Sequence, residues 1–330
     1  MSGRPSSREA ALERTGRLRF SALAPVGFSP VVRGDLLTRI GPAGWSYKDW
    51  WGIVYPAKKP RGFHELSFLA QYFDALEINV TFYRPLSAKT AAAWLEHVAK
   101  NKNFRFTAKL WRGFTHDRNA TAADESEFKD GLAPLLEAKL LGALLLQFPW
   151  SFRNTAENRE YVARLRARFE EYPLVLEVRH ASWSEPGTLD LLEQLDLGLC
   201  NIDQPLFKRS VKPAALATSG VGYVRLHGRN YQSWFTENKY VGERYDYLYS
   251  VRELEPWLDR IKTVEQATND TYIVTNNHYL GKAVVNAIEI SCILRAQPVT
   301  APPSLVERYP ELKDFTTPSE GPEQLAFEPG

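Results

Sequence analysis

Apolar and polar residues alternate across residues 75–84, ALEINVTFYR. Leu76, Ile78, Val80 and Phe82 make one set, and Glu77, Asn79, Thr81 and Tyr83 the other. Successive side chains of a β-strand point to opposite faces, so the pattern predicts a strand with one apolar face and one polar face. FRFTAKL (104–110), LVLEVRH (174–180), GYVRLHG (222–228) and TYIVTNNH (271–278) also begin apolar and finish polar or charged. GALLLQFP (142–149) is almost wholly apolar, as a strand buried on both faces should be. RIGPAGWS (39–46) and LGLCNID (197–203) bring the number of strand-like segments to eight.

Helical spacing fills the intervals. It predicts helices over 63–73, 88–100 behind a Ser87 cap, 124–140, 155–169, 187–195, 250–264 and 281–294. Gly131 and Pro134 are expected to kink or break the third of these. After residue 203 the helix signal is weak. Strands and helices thus alternate from residue 39 to 295, close to the ~250 residues of a (β/α)₈ barrel. A doubly wound open sheet would want a Gly-rich phosphate turn after its first strand, and GPAGWS lacks GxGxxG spacing. The expected fold is a single-domain α/β protein, a TIM-type (β/α)₈ barrel with parallel strands over 39–297. An Arg-rich extension, 1–38, precedes it, and a Pro- and Glu-rich tail, 298–330, expected to be peripheral or disordered, follows.

In such barrels the site lies at the C-terminal ends of the strands, which is where the polar groups fall. With apolar alternates facing the helices, the inward set is Glu77, Asn79, Lys109, Gln147, Glu177, Arg179, Asp203, Arg225 and His227. Strand eight alternates ambiguously: either Asn276 and His278, or Asn277, points inward. His180 ends strand five in phase with the outer face, at the rim. Each charged group also has a purely structural reading, since buried charges pair and Glu177 and Arg179 are spaced to join such pairs. Strands that nearly all end in polar groups are harder to explain by packing alone. Glu77, Glu177, Asp203 and His227 are acid/base candidates. Arg179 and Arg225 would form an anion clamp, with Lys109 as a further cation. The same acids with His227 also suit a divalent metal, but no HExxH or close His pair fixes a geometry, so neither metal nor cofactor is assigned.

Seven of the nine Trp lie just beyond strand ends, Trp45 among them. Such rings pin loops to a scaffold or offer stacking faces to a sugar or base.

Charge changes the picture little. The net charge is +2, yet residues 1–39 carry seven Arg and three acids, so the remainder is slightly acidic. That body lacks the basic excess of a dedicated nucleic-acid binder. The leader has no hydrophobic core for a secretory signal; a flexible extension is expected, with an organelle transit peptide the alternative. No run of ~20 apolar residues spans a membrane. Cys200 and Cys292 suit neither a disulfide framework nor a zinc site, and two buried thiols suit a reducing cytoplasm.

GWSYKDWWG, EINVTFYR, LLLQFPWSF, LEVRHASW, YVRLHGR and TNNHYLGKAVVNA, in this order, resemble the YecE-like family, the domain of unknown function numbered 72. The resemblance spans about residues 40–295. It implies a TIM-type barrel and a recurring pattern at Glu77, Asn79, Tyr83, Glu177, Arg179, His180, Arg225, His227, Gly228 and Asn277, and it carries no catalytic role with it. Two motifs depart from the family: GPAGW, where a small hydroxyl often precedes Gly-Trp, and VTNNH, where an aromatic often precedes Asn-Asn. The expected function is an enzyme or enzyme-like binder of a small anionic or phosphorylated ligand, a sugar derivative among the candidates, with Asn79, Tyr83, His180, Asn277 and Trp45 completing the binding set. The alternatives are a nucleic-acid-binding or metal-dependent phosphodiesterase-like barrel and a non-catalytic scaffold. No motif specifies an oligomeric state.

Overall fold

The computed structural model describes residues 37–234 and 241–318. The Arg-rich extension up to residue 36 and the tail from residue 319 lie outside these residues. Eight parallel strands form one sheet: β1 (Leu37–Pro42), β2 (Ala75–Ile78), β3 (Arg105–Lys109), β4 (Leu141–Gln147), β5 (Leu174–Glu177), β6 (Gly198–Asp203), β7 (Val221–Leu226) and β8 (Asp270–Thr275). Each pairs with its sequence neighbour from β2 round to β8, and β8 pairs with β1. A bridge between Ala43 and Glu77 joins β1 to β2, with the Gly44 amide donating to the Glu77 carbonyl at 2.9 Å. The fold is a TIM-type barrel. Gly41 permits this closure, because a Cβ there would lie 1.7 Å from the Ala75 carbonyl oxygen.

Every predicted strand is present, and most end earlier than the alternation suggests. Past Ile78 the chain turns at Asn79 into a one-turn helix, Val80–Tyr83. The sheet is covered by α1 (Glu65–Leu69), α2 (Ala88–Val98), α3 (Ala122–Glu137), α4 (Ala156–Arg168), α5 (Thr188–Gln194), α6 (Val251–Gln266) and α7 (Lys282–Arg295). Ser87 and Thr155 cap α2 and α4, and capping boxes start α3 (Thr121, Asp124) and α6 (Ser250, Glu253), satisfying amides that helix starts leave unpaired. The expected break in α3 does not occur. Pro134 is accommodated in the last turn, and Gly131 lets the helix touch the Leu86 backbone, where a Cβ would lie 2.0 Å from the carbonyl oxygen. Between β6 and β7 there is a loop and no helix.

The core has two layers. Leu76, Phe106, Leu144 and Leu176 pack outward against helix residues such as Phe128 and Ile261; each such side chain contributes about 1.5–3 kcal/mol on burial. Ala143, Val175, Cys200, Ile202, Tyr223 and Tyr272 fill the barrel interior. The chain beyond Gln297 differs from expectation: as far as residue 318 it folds back onto the barrel. Leu305, Tyr309, Leu312 and Phe315, at helical spacing, are buried along a short helix (Pro303–Arg308), a 3₁₀ turn (Pro310–Asp314) and the single residue that follows each. No helix among the described residues is long and apolar enough to cross a membrane.

Candidate functional site

Period-two alternation on β7 sends Tyr223, Arg225 and His227 into the barrel, one above another. Arg225 is fully buried and ties three strands together. Its Nε and Nη2 donate to the Glu77 carboxylate of β2 at 3.0 and 2.7 Å. Its Nη1 donates to Glu177 Oε2 of β5 at 3.0 Å and to Gln147 Oε1 of β4 at 3.2 Å. The Tyr223 hydroxyl donates to Glu77 Oε2 at 3.0 Å and lies 2.9 Å from Thr107 Oγ1. Arg179 Nη2 donates to Glu177 Oε1 at 2.7 Å. Every oxygen of the two glutamates is therefore engaged. Arg225, expected in an anion clamp, is consumed by carboxylates and lies below the mouth.

His227 sits above Arg225, its Nε2 3.1 Å from Glu177 Oε1 and its Nδ1 3.0 Å from the Asn276 amide nitrogen. The tautomer consistent with both contacts carries its proton on Nε2, donating to Glu177 and accepting from Asn276. Burial, then Arg179 and Arg225, lowers the imidazole pKa to about 3, so His227 is neutral near pH 7. Burial alone would raise the Glu177 pKa, but His227 and the two arginines hold that carboxyl well below the usual range.

Lys109 enters from β3. Its backbone amide is held by Thr81 Oγ1 at 3.2 Å, and its ammonium lies 5.0 Å from the centroid of the Phe82 ring. Among the described residues Nζ makes neither hydrogen bond nor ion pair. Burial, then the nearby Arg225, lowers its pKa to about 8. Arg179 reaches highest, its side chain 13% exposed. Its Nη1 donates to Gln204 Oε1 at 3.2 Å, its guanidinium carbon lies 5.5 Å from the Trp234 ring centroid, and the Gln204 amide nitrogen is buried without a partner among the described residues.

Five predicted site residues lie elsewhere. Asp203 faces the helix layer and pairs with Arg229, with Nη2 2.9 Å from Oδ2. Burial raises its pKa although Arg229 opposes the shift. Asn277 is also on that side, donating to the Tyr247 carbonyl and to Asn286 of α7, both at 2.8 Å, so Asn276 and His278 take the inward phase. Trp45 packs edge-on against Trp94 of α2, with ring centroids 5.0 Å apart. Tyr83, at the end of the helical turn, is 65% exposed. His180 bonds Ser182 at the rim, outside the barrel. Asn79 stays near the mouth, donating to the Tyr47 hydroxyl at 3.3 Å, while the Tyr47 ring stacks on His278 at 4.3 Å. The structure thus gathers Glu77, Glu177, Arg225, His227, Arg179 and Lys109. Gln204 was missed because Asp203 was placed inward, and the phase of Cys200 and Ile202 points to it. Among the described residues no three His, Cys, Asp or Glu side chains cluster as a metal site.

Two solved structures share the arrangement of the chain. A DUF72 family protein from Thermotoga maritima MSB8 is 30% identical, with a TM-score of 0.67, over 78% of this chain and 99% of its own. A DUF72 family protein from Enterococcus faecalis V583 is 25% identical, with a TM-score of 0.69, over 78% of this chain and 96% of its own. No curated protein matches. The family model described as "Protein of unknown function DUF72" matches residues 39–308, nearly the whole barrel and the short helix that follows it, and the chain belongs to that family.

Proposed function

We propose that the barrel mouth binds a small anionic or phosphorylated ligand, of the sugar class, and moves a proton on it. The observation that carries this reading is a surplus cation. Glu77 and Glu177 are balanced by Arg225 and Arg179, which leaves the Lys109 ammonium without a counter-ion among the described residues. The Lys109 side chain is half-buried and so open to a ligand anion, which supplies the missing partner, with Arg179 and the unpartnered Gln204 amide as further donors. Arg225 acts through its field, not by contact. Lys109 is also the inward group whose protonation changes near neutral pH, which suits it to proton transfer. The exposed ring of Tyr231 on an upper loop offers a face to a sugar. The buried free thiols Cys200 and Cys292 fit a reducing cytoplasm.

Thermal unfolding tests the reading. A ligand that binds only the native state adds about 2.7 kcal/mol at one hundred times its Kd, so inorganic phosphate should raise the melting temperature of the wild type. Phosphate also acts as a general stabilising salt, so the comparison is between variants. Arg179→Gln should lose the site-specific part of the rise. Arg225→Gln should chiefly lower the ligand-free melting temperature, because it strands two buried carboxylates. An undiminished phosphate response in Arg179→Gln rejects the site.

A further inference from the structure

We propose that Lys109 forms an imine with the carbonyl carbon of an aldehyde or ketone ligand whose anionic group rests on Arg179. This rests on the anion-binding reading above and adds the ligand's reactive group to it.

The geometry separates Lys109 from a structural lysine. A lysine buried for stability pairs with a carboxylate. The carboxylates nearest to this one are committed: both Glu77 oxygens to Arg225, Glu177 Oε2 to Arg225, and Glu177 Oε1 to Arg179 and His227. The Phe82 ring centroid lies 5.0 Å from the amine, and the charge of Arg225 acts on it more strongly than the opposing charges of Glu77 and Glu177. Burial and the neighbouring Arg225 favour the uncharged amine, the form that attacks a carbonyl, and outweigh the pull of the ring face on the ammonium. A lysine kept only to hold an anion gains nothing from that bias. The stem is also fixed at its base, since the Lys109 amide donates to Thr81 Oγ1 and the buried Thr81 hydroxyl donates to the Ile78 carbonyl at 3.1 Å.

The step balances without an outside reagent. The nitrogen lone pair of the neutral amine bonds to the carbonyl carbon, and the C=O π pair moves to oxygen. The two amine protons pass to that oxygen, which leaves as water, and a C=N bond remains. Once protonated, the imine draws electrons from the adjacent carbon, so a proton there becomes acidic. That is chemistry an open-chain phosphorylated sugar offers.

The test uses the full chain with glycolaldehyde phosphate as the probe, reduction by cyanoborohydride at neutral pH, and peptide mapping by mass. Lys109 should be modified at least about tenfold faster than exposed lysines such as Lys58, given its larger free-amine fraction. Excess inorganic phosphate should protect Lys109 and leave Lys58 unaffected. Arg179→Gln should slow labelling by the phosphorylated probe but not by uncharged glycolaldehyde. If Lys109 stays unmodified while phosphate still raises the melting temperature, the imine is overturned and the anion site stands. If neither response is seen, both readings fail. The wild-type map decides the matter without relying on a Lys109 variant that folds.

Discussion

Lys109 is held where its charge is unfavourable. Lowering an amine from 10.5 to about 8 corresponds to ~3 kcal/mol of cost carried by the protonated form. A residue kept for stability would not carry that cost, whereas functional sites do. Lys109→Met should therefore raise ligand-free stability near pH 7, by about 1–3 kcal/mol in urea unfolding, and remove the response to phosphate. A variant markedly less stable than wild type would make the ammonium a structural partner and sink the argument. At this scale much of the site was legible in the chain. Glu77, Lys109, Glu177, Arg179, Arg225 and His227 follow from alternation, because the strands that carry them have a helix-facing apolar set and an inward polar one. On β6 the rule inverts. Besides α5, the loop after β6 lies against that strand's outer face, and its backbone needs partners, so Asn201 bonds both the amide and the carbonyl of Leu216 at 2.8 Å. Polar residues point outward there, Cys200 and Ile202 fill the interior, and Asp203 is carried out to Arg229.

The strands were read correctly as elements, and their ends were not. Alternation through Tyr83 looked like one continuous strand, yet sheet pairing stops at Ile78 and the same residues close a helical turn, placing Thr81 under β3 and Tyr83 in solvent. Side-chain pattern cannot mark that point, because it is set by where the neighbouring strand offers hydrogen-bond partners. The folded tail was hidden for a related reason: its Pro and Glu content masks four apolar residues at helical spacing. Closure of the sheet depends on β1 approaching β2 more closely than a side chain would allow. Gly41→Ala would put a methyl 1.7 Å from the Ala75 carbonyl oxygen, so the strands must part. Overpacking of this kind costs about 1–3 kcal/mol or more. The urea midpoint should fall with an unchanged slope, since the surface exposed on unfolding is nearly the same. An unshifted midpoint would mean that the β1–β2 seam yields freely.

Over the whole molecule, the barrel joins charges that are remote in sequence: Arg225 meets Glu77 across 148 residues and Glu177 across 48. The individual groups could be read from the chain, but which cation remains unpaired could not, since that depends on how the closed barrel distributes its contacts. The consequence is a specific pH dependence of anion binding. Lys109 titrates at about 8 in the native protein and near 10.5 when unfolded. Between these values the unfolded chain binds the extra proton, so this group's contribution to stability increases as pH rises from about 8 towards 10.5. Ligand binding has the opposite sign. A bound anion favours the ammonium and raises its pKa, so affinity should be full below about 8 and fall above it, by up to about tenfold per pH unit until the bound-state pKa is reached. Sulfate is the suitable ion, because it keeps its charge over this window while phosphate does not. The melting shift produced by sulfate should therefore shrink from pH 7 to 10 in the wild type. Arginine does not titrate in this range, so Lys109→Arg should keep a shift that is flat with pH. A wild-type shift as flat as that of Lys109→Arg would show that the anion rests on the arginines alone, with Lys109 taking no part.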